Sequence, residues 1–157
     1  MLPDMKTLLF LTADYANLTL DNKVNILGIF NQVFAMGFPT LVPQFHLVAK
    51  VGLEPGEEPN NRKLTLYLVG EDANAAKVKI FEQTFNFPER LGGLDPEHAI
   101  IIALQGMVFP KKGTYQFLLH LDDRFLASLS LYLREQQPPQ PQPQLPQPQL
   151  PEPQNGG

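Results

Sequence analysis

Apolar and polar residues alternate with a period of two along much of the chain up to residue 135. Leu64, Leu66 and Leu68 interleave with Thr65, Tyr67 and Val69, and Phe45, Leu47, Ala49 and Val51 with His46, Val48 and Lys50. Tyr115, Phe117, Leu119 and Leu121 form one side of a run whose other side is Gln116, Leu118 and His120. Such alternation marks half-buried strands, since successive side chains of a strand point to opposite faces. The residues from Thr12 to Ala35 read as one long hairpin turned across Leu20-Asp21-Asn22-Lys23, with strands over 7–18 and 25–34. Further strands are expected over 45–51, 63–69, 77–87, 114–122 and 125–133, the last with Phe125, Ala127, Leu129, Leu131 and Leu133 inward.

Breaks in the pattern predict local geometry. Gly28 interrupts an apolar run, and the apolar parity switches between Ile80 and Phe81, so each position predicts a β-bulge. Gly37, Pro39 and Pro43 suit a crossing between sheets. Asp95-Pro96-Glu97 resembles a helix start, whereas Ile100-Ile101-Ile102 is a β-branched run that favours a strand. A central strand is expected there, with a short helical turn inside 96–105 left open. Eight short strands at this spacing predict an all-β, two-sheet sandwich, with a closed barrel as the runner-up.

Composition adds a tail. Eight of the sixteen prolines fall between Pro138 and Pro153, where QLPQP at 144–148 is followed by QLPEP at 149–153. The division expected is a domain over 1–135 and a disordered Pro/Gln-rich tail over 136–157, since such a composition cannot bury a core and favours extended polyproline II. A spacer is the reading favoured over a polyproline ligand.

With no cysteine there is no disulfide, thiolate nucleophile or cysteine-based zinc site. A net charge of −4 gives no basic surface for nucleic acid, and no run reaches the ~18 apolar residues of a membrane helix. Lys6 before TLLFLTA is too brief for a secretory signal, and a cytoplasmic location is expected.

The residues Ala13-Asp14-Tyr15-Ala16-Asn17, Asn25-Ile26-Leu27-Gly28-Ile29-Phe30, Phe38-Pro39, Val108-Phe109-Pro110 and Gly113-Thr114-Tyr115-Gln116-Phe117 together resemble a family of small bacterial proteins, a domain of unknown function. The resemblance spans residues 7–134 and implies an immunoglobulin-like β-sandwich. It implies no activity.

Candidate chemistry is sparse. Simple alternation of strand direction would gather Asp21, Glu54, Glu57, Glu58, Glu89, Asp95, Glu97, Asp122 and Asp123 at one end. Clustered loop carboxylates suit calcium, but no D-x-D spacing aims several oxygens at one ion. Asp95, Asp122, Asp123, His98 and His120 are the candidates for a metal, or for a hydrolase using histidines and carboxylates there. Ser128 and Ser130 lack a nucleophile elbow, and Gly92-Gly93 lacks the Lys of a phosphate loop. Asp14, Tyr15, Asn17 and Asn25 form a polar cluster inside an apolar hairpin, read as structural in preference to a ligand site. Leu118, Leu126, Tyr132, Tyr67 and Val69 are expected to point outward, where a contiguous apolar patch would mark a contact surface. The function expected is a non-enzymatic binding or assembly module, without cofactor, that self-associates or docks an unknown protein partner. The alternative is an ion- or ligand-binding domain at the acidic loops.

Overall fold

A computed structural model describes residues 6–72 and 76–140. Its strands are β1 (Lys6–Leu18), β2 (Val24–Phe30), β3 (Gln32–Ala35), β4 (Thr40–Gly52), β5 (Arg62–Val69), β6 (Val78–Phe85), β7 (Glu97–Phe109), β8 (Gly113–Leu121) and β9 (Arg124–Glu135). They form two sheets, one of four strands in the order β2-β1-β4-β7 and one of five in the order β3-β9-β8-β5-β6. The all-β, two-sheet sandwich is the architecture the alternation predicts.

Between the sheets lies one core. Phe45, Leu47, Ala49 and Val51 of β4 and Ile100, Ile102 and Leu104 of β7 face Leu64 and Leu66 of β5, Phe117 and Leu119 of β8, and Leu131 and Leu133 of β9. Phe45 bridges the layers, packing edge to face on Phe30 at 5.8 Å and Phe117 at 6.3 Å. The bulge expected near Ile80 is present: Leu66 pairs with Phe81 but Tyr67 pairs with Lys79, so Ile80 is the extra residue. Both Ile80 and Phe81 then reach the core, the result of inserting one residue into a period-two pattern.

Several expectations are corrected. The second arm of the first hairpin is not one strand over 25–34. It ends at Phe30, and after Asn31 the chain changes sheet to run as β3 parallel to β9, with Gln32 opposite Tyr132 and Ala35 opposite Glu135. It returns to the first sheet through Met36–Pro39, so there are two crossings rather than one. Gly28 is no bulge, because the β1–β2 register runs unbroken from Thr12–Phe30 to Leu18–Val24. Its φ of +67° places it instead in the left-handed region, and a Cβ there would overlap the Asp14 carboxylate. The segment 97–109 is a strand throughout, without a helical turn, and lies at a sheet edge rather than centrally. Phe125 points outward opposite His120, and Leu126 packs against the core, because the β8–β9 register shifts between Leu119 and His120.

A paired kink went unforeseen. In β4 the inward set passes from Phe45 to Val42, and in β7 from Leu104 to Met107 and Phe109. Pro43 and Gly106 lie opposite each other at the point of change, flanked by the pairs Val42–Met107 and Gln44–Gln105. Gly106 has a φ of +62°, and Pro43 has no N–H to donate, so both strands flip parity together while keeping register.

Candidate functional site

The loops sort differently from simple alternation. Lys6, Gly52 and Glu97 are in register, and Arg62 pairs across from Phe85, so the 53–61, 86–96 and 122–123 segments share one end. The 19–23 turn, which carries Asp21, lies at the opposite end, because the chain reverses twice between β2 and β4. The remaining acidic residues do share an end, and most are engaged by a neighbouring donor. Glu97 pairs with Lys50 at 2.6 Å, Asp95 with Arg90 at 3.2 Å, and Asp123 with Lys63 at 2.9 Å. Glu57 accepts the Glu54 N–H, and Glu58 Oε1 accepts from the backbone N–H and the side-chain amide of Asn60.

Asp122 is the most engaged of them. Its Oδ2 accepts from Arg62 Nε at 2.6 Å and its Oδ1 from the Lys63 N–H at 2.9 Å, while Arg62 also donates to the Glu58 carbonyl at 2.7 Å. Asp122 and Asp123 have φ of 49° and 64°, and the pair Leu121–Arg124 closes a two-residue loop around them. Two positive-φ residues in such a loop are the mark of a type I′ turn, where Asp is tolerated. The 122–123 carboxylates therefore serve the turn and its basic neighbours.

His98 stacks flat on Phe85 at 4.1 Å, and His120 packs edge-on against Tyr67 at 4.9 Å and Phe125 at 6.0 Å. Burial pushes the pKa of both below the ordinary histidine value, and for His120 the nearby Lys77 charge adds to it. Asp123 is held below the usual carboxylate range by its hydrogen bond to Lys63. Among the described residues, no three His, Asp or Glu side chains are grouped so as to hold a metal ion. The structure does not unite Asp95, Asp122, Asp123, His98 and His120 into a site.

Asp14, Tyr15, Asn17 and Asn25 lie on the outer part of the β1–β2 hairpin, all exposed, with Asn17 directly opposite Asn25. His46 Nδ1 lies 3.2 Å from the Asp14 carbonyl, and the Tyr15 ring packs edge-on against His46 at 5.1 Å. These contacts lead onto the outer face of the four-stranded sheet. Register places Ile29, Ala13, His46 and Ala103 in one row across it, Leu11, Val48 and Ile101 in the next, and Leu27 beside Tyr15. Leu27 and Ile29 are 65% and 66% exposed. Val48 and Ala13 are buried on this face without belonging to the inter-sheet core.

Antiparallel sheets ordinarily show water a polar outer face, and this one is apolar across those rows. The outer face of the five-stranded sheet is more mixed: Tyr67 and Leu118 alternate there with Gln116, Ser128 and Ser130, and Lys77 sits 4.3 Å over the Tyr67 ring. The apolar surface thus lies on the sheet other than the one the exposed-residue pattern suggested. The signal for it was runs apolar at both parities, Leu8 to Leu11 and Ile100 to Ile102.

The topology defines a class. With β4 and β7 in one layer, and β9, β8, β5 and β6 in order in the other, the sheets match the B–E and G–F–C–C′ strands of an immunoglobulin-like sandwich. Near the start of β8, Tyr115 donates its hydroxyl to the Lys111 carbonyl at 2.8 Å and accepts the Lys111 N–H at 3.3 Å. This is the tyrosine corner typical of such folds. A family model described as "Family of unknown function (DUF6941)" matches residues 8–134, and the chain belongs to that family. Among solved structures, an immunoglobulin-like protein from Pseudomonas aeruginosa is similar at 16% identity and a TM-score of 0.42, over 84% of this chain and 98% of that one. No curated protein matches the chain. Among the described residues no helix is long and apolar enough to cross a membrane.

Proposed function

We propose that this sandwich is a non-enzymatic binding or assembly module whose contact surface is the outer face of the four-stranded sheet. The observation that carries the reading is the exposure of Leu27 and Ile29 beside Tyr15, at the β1–β2 side of a face whose next rows, Ala13, His46 and Val48, are buried. Large apolar side chains exposed together on one sheet face are where a protein contact forms. It is supported by the engagement of most carboxylates at the loop end, and of the histidines, in turns, ion pairs and ring contacts. In this reading the tail over 136–157, of which residues 141–157 lie outside the described residues, is a spacer, and removing residues 136–157 leaves the melting temperature unchanged.

The test replaces Leu27→Lys and Ile29→Glu together. Both side chains are exposed, so folding stability should move by less than about 1 kcal/mol. Quantitative partner capture and light scattering then compare the variant with the native chain. Association or enrichment reduced at least tenfold in the variant is expected. Native and variant chains that behave identically in both assays would end the reading.

A further inference from the structure

The two sheets have four edges, and three are protected by recognised devices. The β3 edge is only four residues long. The β6 edge carries Lys79 and Glu82 and is bulged at Ile80. The β2 edge is seven residues long, is interrupted by Gly28 at positive φ, and ends where the chain leaves the sheet. Short length, charge, bulges and kinks are how proteins keep strand edges from pairing with other chains. The fourth edge, β7, has none of these over Glu97–Gln105. It is a 13-residue strand with no Pro or Lys, and its one charge, Glu97 at the first position, is paired with Lys50. Among the described residues β7 pairs only with β4. It occupies the place where an immunoglobulin-like sheet would add a further strand, D.

We infer that β7 pairs antiparallel with β7 of a second copy about a two-fold axis at Ile101. The sequence around that point is self-complementary: Ala99-Ile100-Ile101-Ile102-Ala103 reads the same in both directions. In this register Ile101 faces itself, Ile100 faces Ile102 of the second copy, and Ala99 faces Ala103. The inward-facing residues of each strand meet inward-facing residues of the other, so the faces match. Glu97 falls opposite the neutral Gln105, and no like charges meet along the strand.

The area involved sets the strength. Nine residues at about 3.3 Å each, across a sheet edge about 10 Å deep, bury on the order of 300 Å2 per copy. That is well below the roughly 800 Å2 per partner of a stable complex. The dimer is therefore weak, with a dissociation constant on the order of 0.1 mM. The two-fold consumes both open edges and leaves the short β2 edges outermost, so association stops at two. This pairing is independent of the face around Leu27, and it joins two such faces into one eight-stranded surface.

The absence of native cysteine makes the test direct. Residues facing each other in an antiparallel pair have Cα atoms about 4.5–5.5 Å apart, within disulfide range. Ile101→Cys should therefore cross-link to itself under mild oxidation. Ala103→Cys places its two thiols about 13 Å apart, four residues along the strand, and should cross-link at least tenfold more slowly. A second pair guards against a folding defect: Ala99→Glu/Ala103→Lys should dimerise at least as well as the native chain, and Ala99→Lys/Ala103→Lys tenfold less well. Equal cross-linking of the two cysteine variants, equal sedimentation of the two charged variants, or a native chain monomeric to about 1 mM would overturn the pairing. Association that persists unchanged in every β7 variant yet falls with Leu27→Lys/Ile29→Glu would overturn it while sparing the binding reading. Association lost in Ala99→Lys/Ala103→Lys and kept in Ala99→Glu/Ala103→Lys, with no effect of the Leu27 pair on association or capture, would do the reverse.

Discussion

Replacing Asp122 by Asn probes a carboxylate that accepts from both the Arg62 guanidinium and the Lys63 N–H. The substitution keeps a side chain that tolerates the left-handed backbone at φ 49° and an oxygen able to accept the Lys63 N–H. What it removes is the negative charge 2.6 Å from the Arg62 guanidinium, whose side chain is only 7% exposed. Hydrogen bonds to charged groups contribute about 1.5–3 kcal/mol, and breaking a fully buried ion pair costs about 3–5. The carboxylate here is 35% exposed, so water screens part of the interaction and the lower range applies. The expected loss is about 2 kcal/mol. With a urea m-value of roughly 1.5 kcal/mol/M, the unfolding midpoint falls by about 1.3 M. A double-mutant cycle with Arg62→Met separates the pair from the turn: the two changes together should cost at least about 1 kcal/mol less than their sum. A midpoint shift under about 0.3 M, or additive costs, would show that the pair does not stabilise the fold.

Three further outcomes follow from the same geometry. Tyr115→Phe deletes the hydroxyl that bonds both backbone groups of Lys111 and should cost about 1–2 kcal/mol, read as a melting temperature about 3–6 °C lower. Gly28→Ala forces a Cβ into left-handed backbone and against the Asp14 carboxylate; it should cost about 1–2 kcal/mol by chemical denaturation, with Asp14→Ala recovering part of the loss. Burial lowers the folded-state pKa of His98, so its contribution is intact above the ordinary value of 6.5 and is lost as pH falls through the lowered one. His98→Gln should accordingly flatten the decline in thermal stability on acidification below pH 6.5. An unchanged slope would remove His98 from the account.

How much was legible depends on how local the cause is. The inward sets Leu64–Leu66–Leu68 and Tyr115–Phe117–Leu119–Leu121 follow from period two alone, and the Ile80 bulge showed as a parity switch within one strand. The β3 crossing did not show, because its partner is β9, about a hundred residues further along the chain, and alternation carries no partner identity. The polar step Asn31-Gln32 in an apolar run was its one trace. That crossing also displaced Asp21 from the acidic end. Phe125 was assigned inward because a bulge one residue later could not be seen in Phe125-Leu126-Ala127. The outer face was illegible for a related reason: in β2 every residue but Asn25 and Gly28 is apolar, so the pattern could not say which of Ile26, Leu27 and Ile29 meet water.

The claim that the domain acts through a sheet surface is tested most directly by amide chemical-shift mapping, over a concentration series and over a calcium titration of the same sample. Concentration-dependent shifts are expected on the four-stranded sheet along Ala99–Ala103, with none at Glu54–Glu58 or Asp122–Asp123 on adding calcium. Saturable calcium shifts at those carboxylate loops, with the four-stranded sheet unmoved at every concentration, would contradict it.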